Sequence, residues 1–320
     1  MRFDMRAPAF GAAPADLYAA ALEMAAWGET NGCVAAVVSE HHASPDGYLP
    51  SPLLLASAIA ARTRALPIQV AALLLPFYEP VRLAEDLAII DLLSGGRVSF
   101  VIGLGYRDEE FAMFGVERKG RGRRAEETVA FLRRAWSGEP FEHRGRRVHV
   151  TPRPFTPGGP TLMLGGGTAV AARRAARCGL GFYAQSSDGD LERSYREECV
   201  ALGVEPGMCM VPPPGIVTSA FVADDVERGW DEMGRYLLHD ARTYSEWLAG
   251  NGAVVTVAAT SVDELRAEQG PYRIFSVDEA IDQVRRNGFL ATQPLCGGMP
   301  PELAWRSLRL IAERVLPALR

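Results

Sequence analysis

The 320 residues are many for one average domain but suit a single (β/α)8 barrel, which takes ~250 residues plus insertions. With 48% hydrophobic and 23% charged residues the composition is that of a soluble globular protein, and the net charge of −5 argues against a nucleic-acid binder. Cys33, Cys178, Cys199, Cys209 and Cys296 are scattered without a C-x-x-C pair, which argues against a disulfide framework and a zinc site; no signal core or spanning apolar run is visible, so the reading is a cytoplasmic, non-membrane protein.

In chain order the pattern predicts a short, polar first strand over Arg2–Ala7, a helix from about Ala15 to Glu29 closed by Asn31–Gly32, and a strand over Cys33–Ser39. A helix over Pro52–Thr63 follows, with Ser51 as cap and Pro52 at the first helical position. Ile68–Pro76 reads as an apolar strand. Next comes a helix with Leu83, Leu87 and Ile90 at helical spacing, stopped by Gly95–Gly96, and then a second apolar strand running into the Gly103-Leu104-Gly105 turn. Both strands are apolar throughout, as in a parallel sheet covered on both faces. After an arginine-dense connection the pattern gives a helix over Ala125–Trp136 and a hairpin-bearing excursion over 138–158. It then gives a strand over Thr161–Gly165, a helix over 168–178, a strand over 181–185 and a helix over 188–202. A seventh strand is expected within 208–222, near Pro212–Pro214, and a helix from Asp224 to Leu248. Residues 250–275 carry little pattern. Ser276-Val-Asp-Glu279 is a capping box opening a helix, Phe289–Leu295 the eighth strand, and 301–316 the last helix. The alternation predicts one α/β domain over 1–320, a (β/α)8 TIM-type barrel with insertions near 106–124, 137–158 and 240–275.

In such a barrel ligands gather past the C-terminal ends of the strands. Glu40-His41-His42 sits there after the second strand; an imidazole in that place serves as a general base near neutral pH, or simply satisfies nearby backbone groups. Ala71–Ala72 reads as close packing. Gly103 and Gly105 mark a tight turn, or a backbone bare enough for a planar ring to lie on it. Gly165-Gly166-Gly167-Thr168, between a strand and a helix, offers free N–H groups, unhindered approach and a hydroxyl, which together make an anion cradle. Arg118, Lys119, Arg121, Arg123 and Arg124 form a cationic run that reads mostly as a solvated face. Tyr244, Trp247, Tyr272 and Phe275 fit either an aromatic substrate or packing.

The string LLLP-x-x-x-PVRLAEDLAIIDLLSGGR-x-x-F-x-x-G-x-GYRDEEF resembles the third and fourth barrel units of the bacterial luciferase-like monooxygenases. VVSEHH (Val37–His42), Pro160–Gly179 and Leu295–Leu319 extend the resemblance over most of the chain except roughly 240–275. It implies a catalytic or flavin-facing histidine at His41, a non-proline cis peptide against the flavin at Ala71–Ala72, and a cofactor phosphate held at Gly165–Thr168. One phosphate-reaching arginine matches Arg123 or Arg124. Luciferase itself has a phosphate-contacting arginine where Leu104 stands here, so that loop is not expected to hold phosphate.

The resemblance implies a flavin-dependent oxidoreductase, as a monooxygenase using O2 and reduced FMN from a separate reductase on a small organic substrate. The rival readings are a deazaflavin (coenzyme F-420) hydride-transfer enzyme and a non-catalytic flavin-binding relative. No metal is expected. The helices over 52–63 and 79–93 are apolar beyond a single stripe, which points to a homodimer packed through them.

Overall fold

Strands and helices alternate along the described residues, 1–248 and 253–319 of the computed structural model. They are β1 (Arg2–Phe3), α1 (Pro14–Thr30), β2 (Ala36–Val38), α2 (Pro52–Arg62), β3 (Ile68–Leu74), α3 (Pro80–Ser94), β4 (Val98–Gly103), α4 (Asp108–Phe114), α5 (Arg121–Ala135), β5 (Phe141–His143) and β6 (Arg146–Val148). The chain continues with β7 (Leu162–Gly166), α6 (Ala169–Arg177), β8 (Gly181–Ala184), α7 (Gly189–Leu202), β9 (Cys209–Met210), β10 (Ser219–Val222), α8 (Val226–Trp247), α9 (Val262–Glu268), β11 (Tyr272–Phe275), α10 (Val277–Asn287) and α11 (Pro301–Leu310). Two compact units result: Val37–Ala43 with Pro50–Val211, and Met1–Ala36 with Ser44–Leu49 and Pro212–Arg320.

In the unit holding residues 50–211 the strands follow the order β2-β3-β4-β7-β8-β9. The pairs from β3 to β9 are parallel, with Leu74 opposite Gly103 and Gly166 opposite Ala184. The expected helix after β3 is α3: Pro80 stands in its first turn, Glu79 accepts from Arg82 N at 2.9 Å, and Gly95 closes it at φ 62°. Leu83, Leu87 and Ile90 of α3 are buried, while Ile89, Leu92 and Leu93 are exposed. The excursion over 138–158 contains the antiparallel hairpin β5–β6. Ser51 stands at the N-cap of α2 as expected, but its side chain makes no capping hydrogen bond.

In the other unit β10 pairs in parallel with β11. The first strand is shorter than expected, because Met5 takes a left-handed backbone (φ 62°) that ends the extended run. The eighth strand expected over Phe289–Leu295 reduces to one parallel bridge, Thr292 with Ala220, beside a bond from Arg2 N to Thr292 O at 2.8 Å. The seventh, expected within 208–222, divides into β9 and β10 around the prolines. The patternless stretch holds α9 and β11; residues 249–252 of the expected 240–275 insertion lie outside the described residues. Ser276 and Glu279 form the capping box of α10.

The aromatics of 240–275 are packed. Tyr272 and Phe275 lie in the core. Tyr244 and Trp247, with Tyr48, surround the fully buried Arg6 guanidinium at 5.0, 4.6 and 4.7 Å from the ring centroids. Arg6 also pairs with Asp240 and Asp46, each at 2.7 Å, and lies 3.7 Å from Asp4. Gln293 Nε2 donates to both Asp4 and Asp240. Burial, with the neighbouring Asp240, pushes the Asp4 carboxyl up to about 8. Asp240 stays low, because both Arg6 and Arg2 face it against the cost of burial.

Candidate active site

All candidate site residues lie in the unit that holds residues 50–211, most of them at or past the ends of β2, β3, β4 and β7. The first are two imidazole–carboxylate pairs. His41 and His42 follow β2 and both are buried. His41 Nδ1 lies 2.8 Å from Glu110 Oε1, an oxygen that also accepts from His42 N at 2.9 Å and has Arg107 Nη1 at 3.5 Å. His42 Nε2 instead lies 2.9 Å from Glu40 Oε1. Glu40 also accepts from Leu74 N at 2.7 Å and Tyr78 Oη at 2.9 Å. The His42 ring packs edge-on against Phe114 and Phe77.

The two carboxylates are shifted in opposite directions. Burial raises Glu110, but the His41 hydrogen bond and charge, the His42 amide and Arg107 outweigh it and hold the group below its usual range. For Glu40 burial wins over its donors and the carboxyl is pushed up. The Nε2 atoms of the two rings also face different groups: His41 Nε2 faces Tyr106 Oη at 3.0 Å, whereas His42 Nε2 is committed to Glu40.

The peptide bond between Ala71 and Ala72 is cis. Gly103 packs directly on it, since a Cβ there would meet Ala72 Cβ at 2.8 Å. Gly105 needs glycine for another reason, a left-handed φ of 70°. β3 and β4 thus bring Ala71, Ala72 and Gly103 together, and Tyr106 of the same turn joins them to His41.

Gly165, Gly166, Gly167 and Thr168 run from the end of β7 into α6. Thr168 caps the helix by accepting from Ala171 N at 3.2 Å, which leaves its O–H as a donor. A Cβ at Gly166 would fall 2.5 Å from Ala171 Cβ, so this approach to the helix end is open only to glycine. First-turn amides and the positive helix end suit an anion.

The arginines before α5 part company. Arg123 is exposed beside Glu127, and Arg124 donates to the carbonyls of Lys119 and Glu117. Arg121 differs: its buried Nε has no hydrogen-bond partner among the described residues. Burial and the charges of Arg118 and Arg174 hold it below the ordinary arginine value. Arg174, from α6, packs on Gly122 in the first turn of α5. Arg121 Nη1 donates to Arg118 O at 3.4 Å, and the unpartnered Nε is left as a donor suited to an anion.

A groove of about 670 Å³ lies along α2 and α3, lined by Leu53, Leu54, Tyr78 and Ile89 together with Glu40 and His42 of the second imidazole–carboxylate pair. None of Gly103, Gly105 or Gly165–Thr168 lines it, so it is not the cradle.

Sequence reasoning passed over Glu110, Tyr106, Arg107 and Tyr78. Glu110 is one of three acids in a row, and only the fold buries it against His41.

The luciferase-like monooxygenase family model matches residues 1–291. The chain belongs to the luciferase-like monooxygenase family. It is 27% identical over 283 residues to a 4-hydroxyprotoasukamycin monooxygenase of Streptomyces nodosus subsp. asukaensis, covering 82% of this chain and 75% of that one. It is 29% identical over 194 residues to an F420-dependent glucose-6-phosphate dehydrogenase of Mycolicibacterium fortuitum, covering 56% of each. An uncharacterized Sinorhizobium fredii protein, y4wF, is 34% identical over 145 residues, which are 45% of this chain and 42% of that protein. The chain therefore spans less than half of that relative's length. Among solved structures, the oxygenating constituent of the 3,6-diketocamphane monooxygenase of Pseudomonas putida, in complex with FMN, superposes with a TM-score of 0.72 at 18% identity over 99% of both chains. The luciferase-like chain shares that α/β barrel fold, as its strand–helix alternation predicted. No described helix is long and apolar enough to cross a membrane.

Proposed function

We propose that this chain, acting as one luciferase-like domain over both units, is a flavin-dependent monooxygenase. It binds reduced FMN delivered by a separate reductase and uses O2 to oxygenate a small organic substrate. The observation that carries the reading is the buried His41–Glu110 pair, joined through Tyr106 to the Gly103 turn that packs on Ala71–Ala72. That arrangement puts a proton-handling imidazole beside a bare backbone surface suited to a flat ring. Reduced FMN supplies the electrons that activate O2. Gly165–Thr168 hold its phosphate, joined by Arg121, whose buried Nε has no hydrogen-bond partner among the described residues; Arg123 and Arg124 are second choices, since other groups engage them. His41 takes and returns protons, while His42, locked to Glu40, positions the segment. Phe77 stacks on Phe114 and meets Phe111 edge-on, and Phe77 and Phe114 pack against the His42 ring.

A deazaflavin hydride-transfer activity is the second reading, favoured by the F420-dependent relative. A purely flavin-binding role is disfavoured by the intact His41–Glu110 pair. A homodimer through α2 and α3 completes the proposal, supported by the exposed Leu54, Ile89, Leu92 and Leu93 beside the groove.

Anaerobic titration with reduced FMN and with reduced deazaflavin, followed by mixing with O2, tests the reading. Tighter binding of reduced FMN, and its rapid reoxidation by O2 on the protein, is expected. Binding of deazaflavin alone would transfer the proposal to the second reading.

A further inference from the structure

We propose that the Tyr106 phenol is the catalytic group through which His41 exchanges its proton with bound substrate, and that Glu110 is the positioning residue that fixes the ring for that exchange; the proposal rests on the monooxygenase reading of this site. Glu110 is fully buried on α4, and Oε1 is its working atom. Two donors converge on that oxygen, His41 Nδ1 at 2.8 Å and His42 N at 2.9 Å, with the Arg107 guanidinium, which donates to His42 O, at ion-pair distance of 3.5 Å. An ionised carboxylate only accepts, so the hydrogen of the neutral imidazole sits on Nδ1 and the lone pair on Nε2. Tyr106 Oη lies 3.0 Å from Nε2, with the two rings edge to face at 70°. Its O–H therefore donates to the basic nitrogen. His41 is buried whereas Tyr106 is half-buried, on the Gly103–Gly105 turn, so the phenol is the part of the pair a substrate meets.

The transfer balances without a redox partner. An O–H or N–H bond of the substrate breaks and its proton goes to Tyr106 Oη. The Tyr106 proton passes to His41 Nε2, leaving an imidazolium on the Glu110 carboxylate. The return step reverses both transfers and moves no further electrons. His42 cannot substitute, since its Nε2 is engaged by Glu40.

The test combines nitrogen-15 NMR of the histidine rings in the cofactor-free protein with single-turnover rates across pH, for the wild type, Tyr106→Phe and Glu110→Gln. The wild-type His41 ring is expected as the Nδ1–H tautomer. Tyr106→Phe, which keeps the ring packing, should lower the rate about 10²-fold while changing reduced-flavin affinity by less than about threefold. Glu110→Gln should move the half-titration of the His41 ring and the acid limb of the rate profile together to lower pH, because the imidazolium loses its counter-charge. An Nε2–H tautomer in the wild type, or a Tyr106→Phe rate equal to wild type at every pH, overturns the proposal. If neither reduced FMN nor deazaflavin supports turnover, the monooxygenase reading fails, and the tautomer measured in the cofactor-free protein still decides whether Tyr106 faces the basic nitrogen.

Discussion

His41 and His42 are adjacent in sequence and equally buried, yet their surroundings give them different work. His42 Nε2 is one of the donors that offset the burial of Glu40. His42→Ala should therefore act on stability, costing about 1–3 kcal/mol as Glu40 loses a partner in a buried place. Urea unfolding measures this, and an unchanged midpoint would show that Glu40 does not depend on the ring. A second residue-scale prediction concerns Asp4, in the other unit. Asp4 and Asp240 are both served by Gln293, but Asp240 has Arg6 at 2.7 Å where Asp4 has it at 3.7 Å, so the proton resides on Asp4. Its folded value, about 8, lies above the ordinary aspartate value of about 3.9, so the folded state holds this proton more tightly. The contribution is full below about pH 4 and is lost as pH rises through about 8. Unfolding free energies measured across that range should fall for the wild type and stay flatter for Asp4→Asn. Superimposable profiles would place the proton elsewhere.

At the scale of elements, the Thr168 hydroxyl caps α6, and in the proposed function the same hydroxyl also binds the cofactor phosphate. Thr168→Ala should cost about 0.5–2 kcal/mol of stability through the lost cap and also weaken reduced-FMN binding, while Thr168→Ser should restore both. Calorimetry and flavin titration on the two variants check this; a serine variant that recovers stability but not affinity would assign binding to the methyl group or to shape. The same scale shows which elements the sequence made legible. α3, with its Pro80 start and Gly95 stop, and α10, with its Ser276–Glu279 box, are set by local chemistry and were readable. α9 and β11 are short, and packing defines them, as the burial of Leu265 and Tyr272 shows; no periodicity announced them. The Phe289–Leu295 segment is apolar at both ends, yet Phe289 is exposed, and among the described residues the segment forms one bridge, at Thr292, beside the bond from Arg2 N to Thr292 O. At the site, His41 and the glycines follow strand ends and leave local marks, whereas the cis bond at Ala71–Ala72 was expected only through the family resemblance, since the residues alone read as close packing. Glu110, Tyr106 and Arg121 were not readable, because their roles arise from partners 69 and 65 residues away in the first two cases and, in the third, from an unpaired buried nitrogen.

For the whole molecule, the apolar outer face of α2 and α3 is the basis of the proposed assembly. Leu54 is 74% and Leu93 59% exposed, large for leucines on neighbouring helices. Sedimentation should give a dimer for the wild type and a monomer for the combined Leu54→Glu and Leu93→Glu variant, with helix content unchanged. A wild-type monomer at micromolar concentration would remove the dimer from the account. The central claim is that cofactor binding and proton handling are separate tasks of one unit, the first at Gly165–Thr168 and the second at His41. The measurement that tests it most directly is the reduced-FMN affinity and single-turnover rate of His41→Ala. The account predicts near wild-type affinity with a rate lowered about 10²–10⁴-fold at saturating flavin. Loss of flavin binding with the rate kept once saturated would contradict it.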